Sequence, residues 1–471
     1  MMHSITVGMI VGNRGGFPAH LCADARATML RVLKQENIDV ITLDPQEARF
    51  GAVETLDDAI KCGDLFRHHA SEIDGIIVTL PNFGDEKAVA NAVRFSGLRV
   101  PILVHAFPDD MSKLSFTERR DSFCGKISVC NNLGQYNIPF TLTHMHTVNP
   151  DSESFQEDLR HFAAVCRVVK GMRQVRIGVL GARPAAFNTV RFSEKILEHV
   201  GVSVETLDLS EAFGRADRLS DDDPAVVAKR QAIVEYAETS HVPPSVLNRM
   251  ARFGVVMDRW IAENKLNATA VQCWTALEEY FGVFPCPLMS MLSNQMLPSA
   301  CETDANGALS MYVLQLASGQ PAMLLDWNNN YAEEPDKAVV FHCSNLPACV
   351  MEQRPWMSCH PGLAERLGEE NAYGQLYGKI KAAPFTFLRI STDDLNGSIV
   401  AYVGEGEFTR QTLDTYGTYG VVSIPDLRNL LHFICKNRFE HHFAATQALV
   451  AEAIYEALTT YLGWDVYYHT A

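Results

Sequence analysis

Through the first third of the chain, short apolar runs closed by turn-forming residues alternate with amphipathic stretches. Residues 5–11 end at Gly12, residues 40–43 at Asp44-Pro45, Gly75–Leu80 at Pro81-Asn82 and residues 101–107 at Pro108. Apolar runs this short, bounded by breakers, read as buried parallel strands. Residues 20–35 and 88–97 lie between them and carry helical spacing. Strand and helix in alternation predict a doubly wound α/β domain.

The pattern then restarts. Residues 152–170 read as a helix bridging two units. Val175–Leu180, Val202–Leu207 and residues 269–274 read as fresh strands, and the charged stretch 217–223 before Pro224 reads as an exposed loop. The last third changes character. Residues 385–390, 398–403 and 416–423 predict antiparallel strands, with a turn at 393–397 and a helix over 444–462. The expected architecture is two doubly wound, Rossmann-like α/β domains followed by a C-terminal antiparallel β-rich domain. The expected boundaries are 1–168, 169–318 and 319–471.

Composition narrows the classes. The 471 residues are 47% hydrophobic and 20% charged, with a formal net charge of −16. That is ordinary globular composition, and the acidic balance argues against nucleic acid as a partner. No apolar run of about 18 residues is present, so no membrane span is expected. Residues 1–9 are short and mildly polar, which predicts no signal peptide and a cytoplasmic location. Twelve cysteines are scattered without C-x-x-C spacing, as inert buried thiols would be.

Four places carry candidate chemistry. Gly12-Asn13-Arg14-Gly15-Gly16 follows the first strand and reads as an anion- or sugar-binding loop or as a tight βα turn. Glu302-Thr303-Asp304-Ala305-Asn306-Gly307 puts two carboxylates before an apolar stretch, where Asp304 suits a helix cap. Met323-Leu324-Leu325-Asp326 reads as a strand presenting a carboxylate at its C-terminal end. Glu440-His441-His442 reads as the opening of the last helix. Glu302, Asp326 and His442 together make an O,O,N set suited to Mn²⁺ or another hard divalent ion. Zn²⁺ is less apt, because no cysteine lies in a ligand-like pattern.

These segments resemble the L-fucose isomerase family and, more distantly, L-arabinose isomerase. The resemblance rests on Glu302-Thr303-Asp304-Ala305-Asn306-Gly307, on Leu316-Ala317-Ser318-Gly319-Gln320-Pro321-Ala322 followed by Asp326, on His441-His442, and on Ala383-Pro384-Phe385-Thr386-Phe387-Leu388-Arg389. It covers about 269–330 and 383–465, and is only architectural over the first 260 residues. The stretch around 354–377 has no counterpart in the family.

The resemblance implies a metal-dependent aldose–ketose isomerase that moves a proton between C1 and C2 of a sugar through an ene-diolate. It implies Glu302 and Asp326 as metal ligands and as the acid–base pair, and His442 as the third ligand. Gln272, Trp274 and Asn328 are expected at the sugar. His441 and His342 are expected to support the ligands from behind. Arg14 is expected to reach the sugar of a neighbouring copy in a homo-oligomer, a trimer or hexamer. Two other readings fit the same residues: a non-catalytic sugar-binding module of two α/β lobes, and a metal-dependent epimerase or aldolase.

Overall fold

The computed structural model describes residues 4–470; residues 1–3 and 471, at the ends of the expected first and last domains, lie outside it. The chain divides into two compact units. One runs to Lys170 and includes Glu456–Gly463; the other holds Gly171–Tyr455 and the C-terminal strand.

The first unit is built on a parallel sheet in which Ile5–Gly12 lies between Ile38–Thr42 and Gly75–Leu80, followed outward by Ile102–Ala106 and Thr141–Leu142. Every residue of Gly75–Leu80 is buried, which explains the run of Ile, Ile, Val and Leu without alternation. Each such side chain contributes about 1.5–3 kcal/mol by leaving water. Helix Leu56–His68 starts at a capping box between Thr55 and Asp58. Helix Glu86–Ser96 starts on the Asp85 side chain and stops at Gly97 with φ 68°.

The second unit contains two sheets. Four parallel strands run in the order Ser299–Cys301, Ala268–Val271, Val175–Leu180, Val202–Leu207. A nine-stranded mixed sheet follows, and at its centre His442–Thr446 pairs antiparallel with both Ala322–Asn330 and Ala383–Asp393. Parallel sheets early and a large β-rich sheet late match the expected fold class.

Three expectations are corrected. His441-His442 does not open a helix: residues 442–446 are a central strand, all five buried, and the helix begins only at Ala451, running on from Ala451–Glu456 as a π-helix over Ala457–Tyr461. Flanked by a strand on each side, Ala444 and Ala445 are drawn into the sheet despite their helical propensity. Asp326 is not at a strand end, because the pairing to Lys337–His342 continues past it to Asn330 across a bulge between Trp327 and Asn329. The strand expected over 269–274 stops at Val271, leaving Gln272 and Trp274 in the loop that follows.

Candidate active site

The second unit brings Glu302, Asp326 and His442 together. Asp326 and His442 are cross-strand partners. The Asp326 Oδ1 lies 3.2 Å from His442 Nε2, and the Glu302 Oε2 lies 3.6 Å from the same nitrogen. Glu302 arrives from another direction, just past Ser299–Cys301. Glu302 and Thr303 both take left-handed backbone, with φ 60° and 56°. This strain, about 1–3 kcal/mol per residue, turns the chain from strand to helix within three residues.

Asp304 does more than cap helix Ala305–Ser318. Its Oδ1 accepts the Gly307 N–H at 2.8 Å, while Oδ2 lies 2.8 Å from His442 Nδ1. Arg389, fully buried, donates to Oδ2 from Nη1 at 2.6 Å and to Oδ1 from Nη2 at 3.0 Å. The same guanidinium donates from Nε to Glu440 at 3.1 Å, and Ser391 donates to Glu440 at 2.8 Å. A Cβ at position 307 would sit 2.5 Å from Asp304 Oδ2, so only glycine fits there.

Histidines complete the centre. Ligand-type atoms of Glu302, His441 and His442 form one mutual cluster, and those of Asp326, His342 and His442 form another, each within 4.8 Å. Glu302 Oε2, Asp326 Oδ1, His442 Nε2 and His342 Nε2 are buried atoms that no hydrogen bond satisfies. Several buried, converging donor atoms without hydrogen bonds form an arrangement that could hold a cation.

Charge is divided unevenly among these groups. Burial pushes Glu302 up to about 7, with Asp326 and Asp304 adding to the rise and His442 opposing it. Burial alone would raise Asp326 as well, but His442, His342 and His441 hold it below the usual carboxylate range. Burial opposes protonation of His442, yet Asp304 and Asp326 raise it to about 10. His441 is lowered to about 4 by burial and by the neighbouring His442.

The other expected residues have partners of their own. Gln272 accepts the Ala182 N–H at 2.8 Å and donates to the Trp274 carbonyl at 3.3 Å, bracing two loops. Trp274 packs against Phe187 and edge-on to His360. Asn328 is exposed on the strand bulge. Arg14 belongs to the other unit, pairs with Glu86 at 2.8 Å and lies over Phe83. A cleft of about 1010 Å³ beside Ser391 and Glu440, lined also by Arg183 and Arg438, does not include the triad.

The expected residues left out the Arg389–Glu440 pair and the hold of Asp304 on the imidazole. The signal for Arg389 was present: a single cation inside the apolar run Phe385-Thr386-Phe387-Leu388-Arg389-Ile390 has to find buried carboxylates.

Two family models match. One, described as the fucose/sulfoquinovose isomerase N-terminal domain, covers residues 8–173, and one described as the L-fucose isomerase C-terminal domain covers residues 340–470. A sulfoquinovose isomerase of Alkalicoccus urumqiensis is 26% identical over 396 residues, which is 82% of this chain and 84% of that protein. One of Priestia megaterium is 26% identical over 278 residues, 58% of this chain and 59% of that protein. Among solved structures, a solute-binding protein from Burkholderia multivorans aligns at 12% identity over 68% of this chain and 95% of its own, with a TM-score of 0.15, too low to bear on the fold.

Proposed function

The chain belongs to the L-fucose isomerase-like family of aldose–ketose isomerases, and from that premise we propose that it works as a divalent-metal enzyme on a C6-sulfonated aldohexose. One observation carries the metal reading. Glu302, Asp326 and His442 turn buried donor atoms without hydrogen bonds toward one another, from separate segments of the fold. Two carboxylates and an imidazole suit Mn²⁺ or a similar hard cation.

Glu302, Asp326 and His442 would hold the ion. When bound, it would supply Lewis-acid stabilisation of the negative charge that develops on the sugar. The chain's own residues do the rest. Asp304 fixes the His442 ring through Nδ1, which leaves Nε2 as the ligand atom. Arg389 pairs with both Asp304 and Glu440, so these two carboxylates stay in place behind the centre. Glu302 and Asp326 act as the acid–base pair, removing a proton from one carbon and returning one to its neighbour. His342 and His441 flank Asp326 and limit its freedom.

The sugar is inferred from the curated relatives, which are named sulfoquinovose isomerases. We take the working form to be a homo-oligomer, a trimer or hexamer, with Arg14 serving a neighbouring copy. Assaying chelator-stripped protein, with and without Mn²⁺, on sulfoquinovose, L-fucose, D-arabinose and L-arabinose tests the proposal. Ketose formation from sulfoquinovose that requires the ion supports it. Turnover of only the unsulfonated sugars removes the substrate assignment, and no turnover of any aldose removes the isomerase mechanism.

A further inference from the structure

A second cluster of ligand-type atoms lies in the same unit. Cys286 begins helix Cys286–Asn294, Cys301 ends strand Ser299–Cys301, and Cys343 directly follows strand Lys337–His342. Their three Sγ atoms lie within 4.8 Å of one another. Cys286 and Cys301 are fully buried, and Cys343 is partly exposed. Two further donors stand beside them: Cys273, whose Sγ is 2.8 Å from that of Cys301, and His342, whose Nδ1 is 3.5 Å from the Cys343 Sγ.

We propose that Cys286, Cys301 and Cys343 form a second metal site, distinct from the Glu302–Asp326–His442 centre, which takes one thiophilic d¹⁰ cation, Zn²⁺ or Cu⁺. Thiolates select such ions over Mn²⁺ and Mg²⁺. With metal–sulfur bonds of about 2.3 Å, tetrahedral coordination separates the sulfurs by about 3.8 Å, so the trio needs to close by no more than about 1 Å. Cys273 and His342 are the neighbours able to supply a fourth ligand.

The placement gives the site a consequence. Cys301 immediately precedes Glu302, and Cys343 immediately follows His342. A cation at the thiols would therefore tie together the backbone that carries two groups of the candidate active site. The ordinary alternative is that the thiols pack as small apolar side chains without binding any ion.

Cd²⁺ is the probe, added to reduced, chelator-stripped full-length protein while ultraviolet thiolate-to-metal absorption is followed. The expected result is saturation at one equivalent per chain, persistence of the band in His442→Ala, and loss of the band in Cys286→Ser and in Cys343→Ser. Zn²⁺ taken up at one equivalent from a chromophoric chelator assigns zinc, and Cu⁺ alone taken up in this way assigns copper; uptake of neither overturns the proposal. A band that vanishes in His442→Ala, or survives both cysteine substitutions, also overturns it. If the cysteine variants do not fold, alkylation of the unmodified chain read by peptide mass spectrometry decides. Labelling of Cys286, Cys301 and Cys343 slowed at least about tenfold by Zn²⁺ or Cu⁺ supports the site, and equal labelling with and without both ions rejects it.

Discussion

Asp304 Oδ2 lies 2.8 Å from His442 Nδ1, so the imidazole is held through one nitrogen while the other faces Asp326 and Glu302. A carboxylate behind a ligating histidine fixes its tautomer and raises its basicity. Asp304→Asn should weaken Mn²⁺ retention by about 10–100-fold, with turnover at a fixed ion concentration falling in parallel. Calorimetric titration of the stripped variant measures the first and ketose formation the second. Unchanged affinity would mean that Asp304 serves only as the cap of helix Ala305–Ser318.

The two adjacent histidines should differ. His442 is buried, with contacts at both nitrogens, whereas His441 is more than a third exposed and its Nε2 lies 3.6 Å from Asp326. His442→Ala should lower ion affinity more than His441→Ala. The reverse order in the same titration would exchange their roles.

Arg389 is a stability prediction. Its guanidinium lies between Asp304 and Glu440 with no exposure. Removing it strands two buried carboxylates, so Arg389→Met should cost about 3–5 kcal/mol in urea denaturation. Arg389→Lys keeps the charge but cannot make the paired hydrogen bonds to Asp304, and should fall between the two. A Met variant as stable as the parent would show that the charges relax by other means.

His105 predicts a pH dependence in the first unit. It is fully buried, with one ring nitrogen 2.8 Å from the Thr79 hydroxyl and the other 2.8 Å from the Val148 carbonyl. Burial pushes it from 6.5 down to about 3. Below pH 6.5 the unfolded chain therefore takes up a proton that the folded chain refuses. Stability should fall as the pH drops from 6.5 towards 3, by about 1.4 kcal/mol per pH unit for this one group. Denaturation at pH 7, 6 and 5 should show this slope in the parent and a shallower one in His105→Gln. Equal slopes would assign the acid sensitivity to other groups.

The central strands of the first unit were readable because they are buried on both faces, and a short apolar run closed by Gly or Pro says as much locally. Gly75–Leu80 carries that signal to the residue, and Val175–Leu180 of the second unit carries it too. Residues 442–446 do not. Their strand state is imposed by two flanking strands whose paired residues lie more than fifty positions earlier in the chain, while Ala444 and Ala445 locally favour helix. Glu302, Asp326 and His442 could be grouped by donor chemistry and family resemblance, but composition and spacing do not dictate their convergence. The thiol cluster was invisible for the same reason: Cys286, Cys301 and Cys343 share no sequence spacing, and only the meeting of a helix and two strand ends brings them together.

Titrating chelator-stripped protein with Mn²⁺, while counting bound ions and following ketose formation, tests the central claim most directly. The account predicts that ketose formation rises in step with filling of one site per chain, and that Glu302→Gln loses both. Full turnover before any ion is bound, or undiminished turnover in Glu302→Gln, would contradict it.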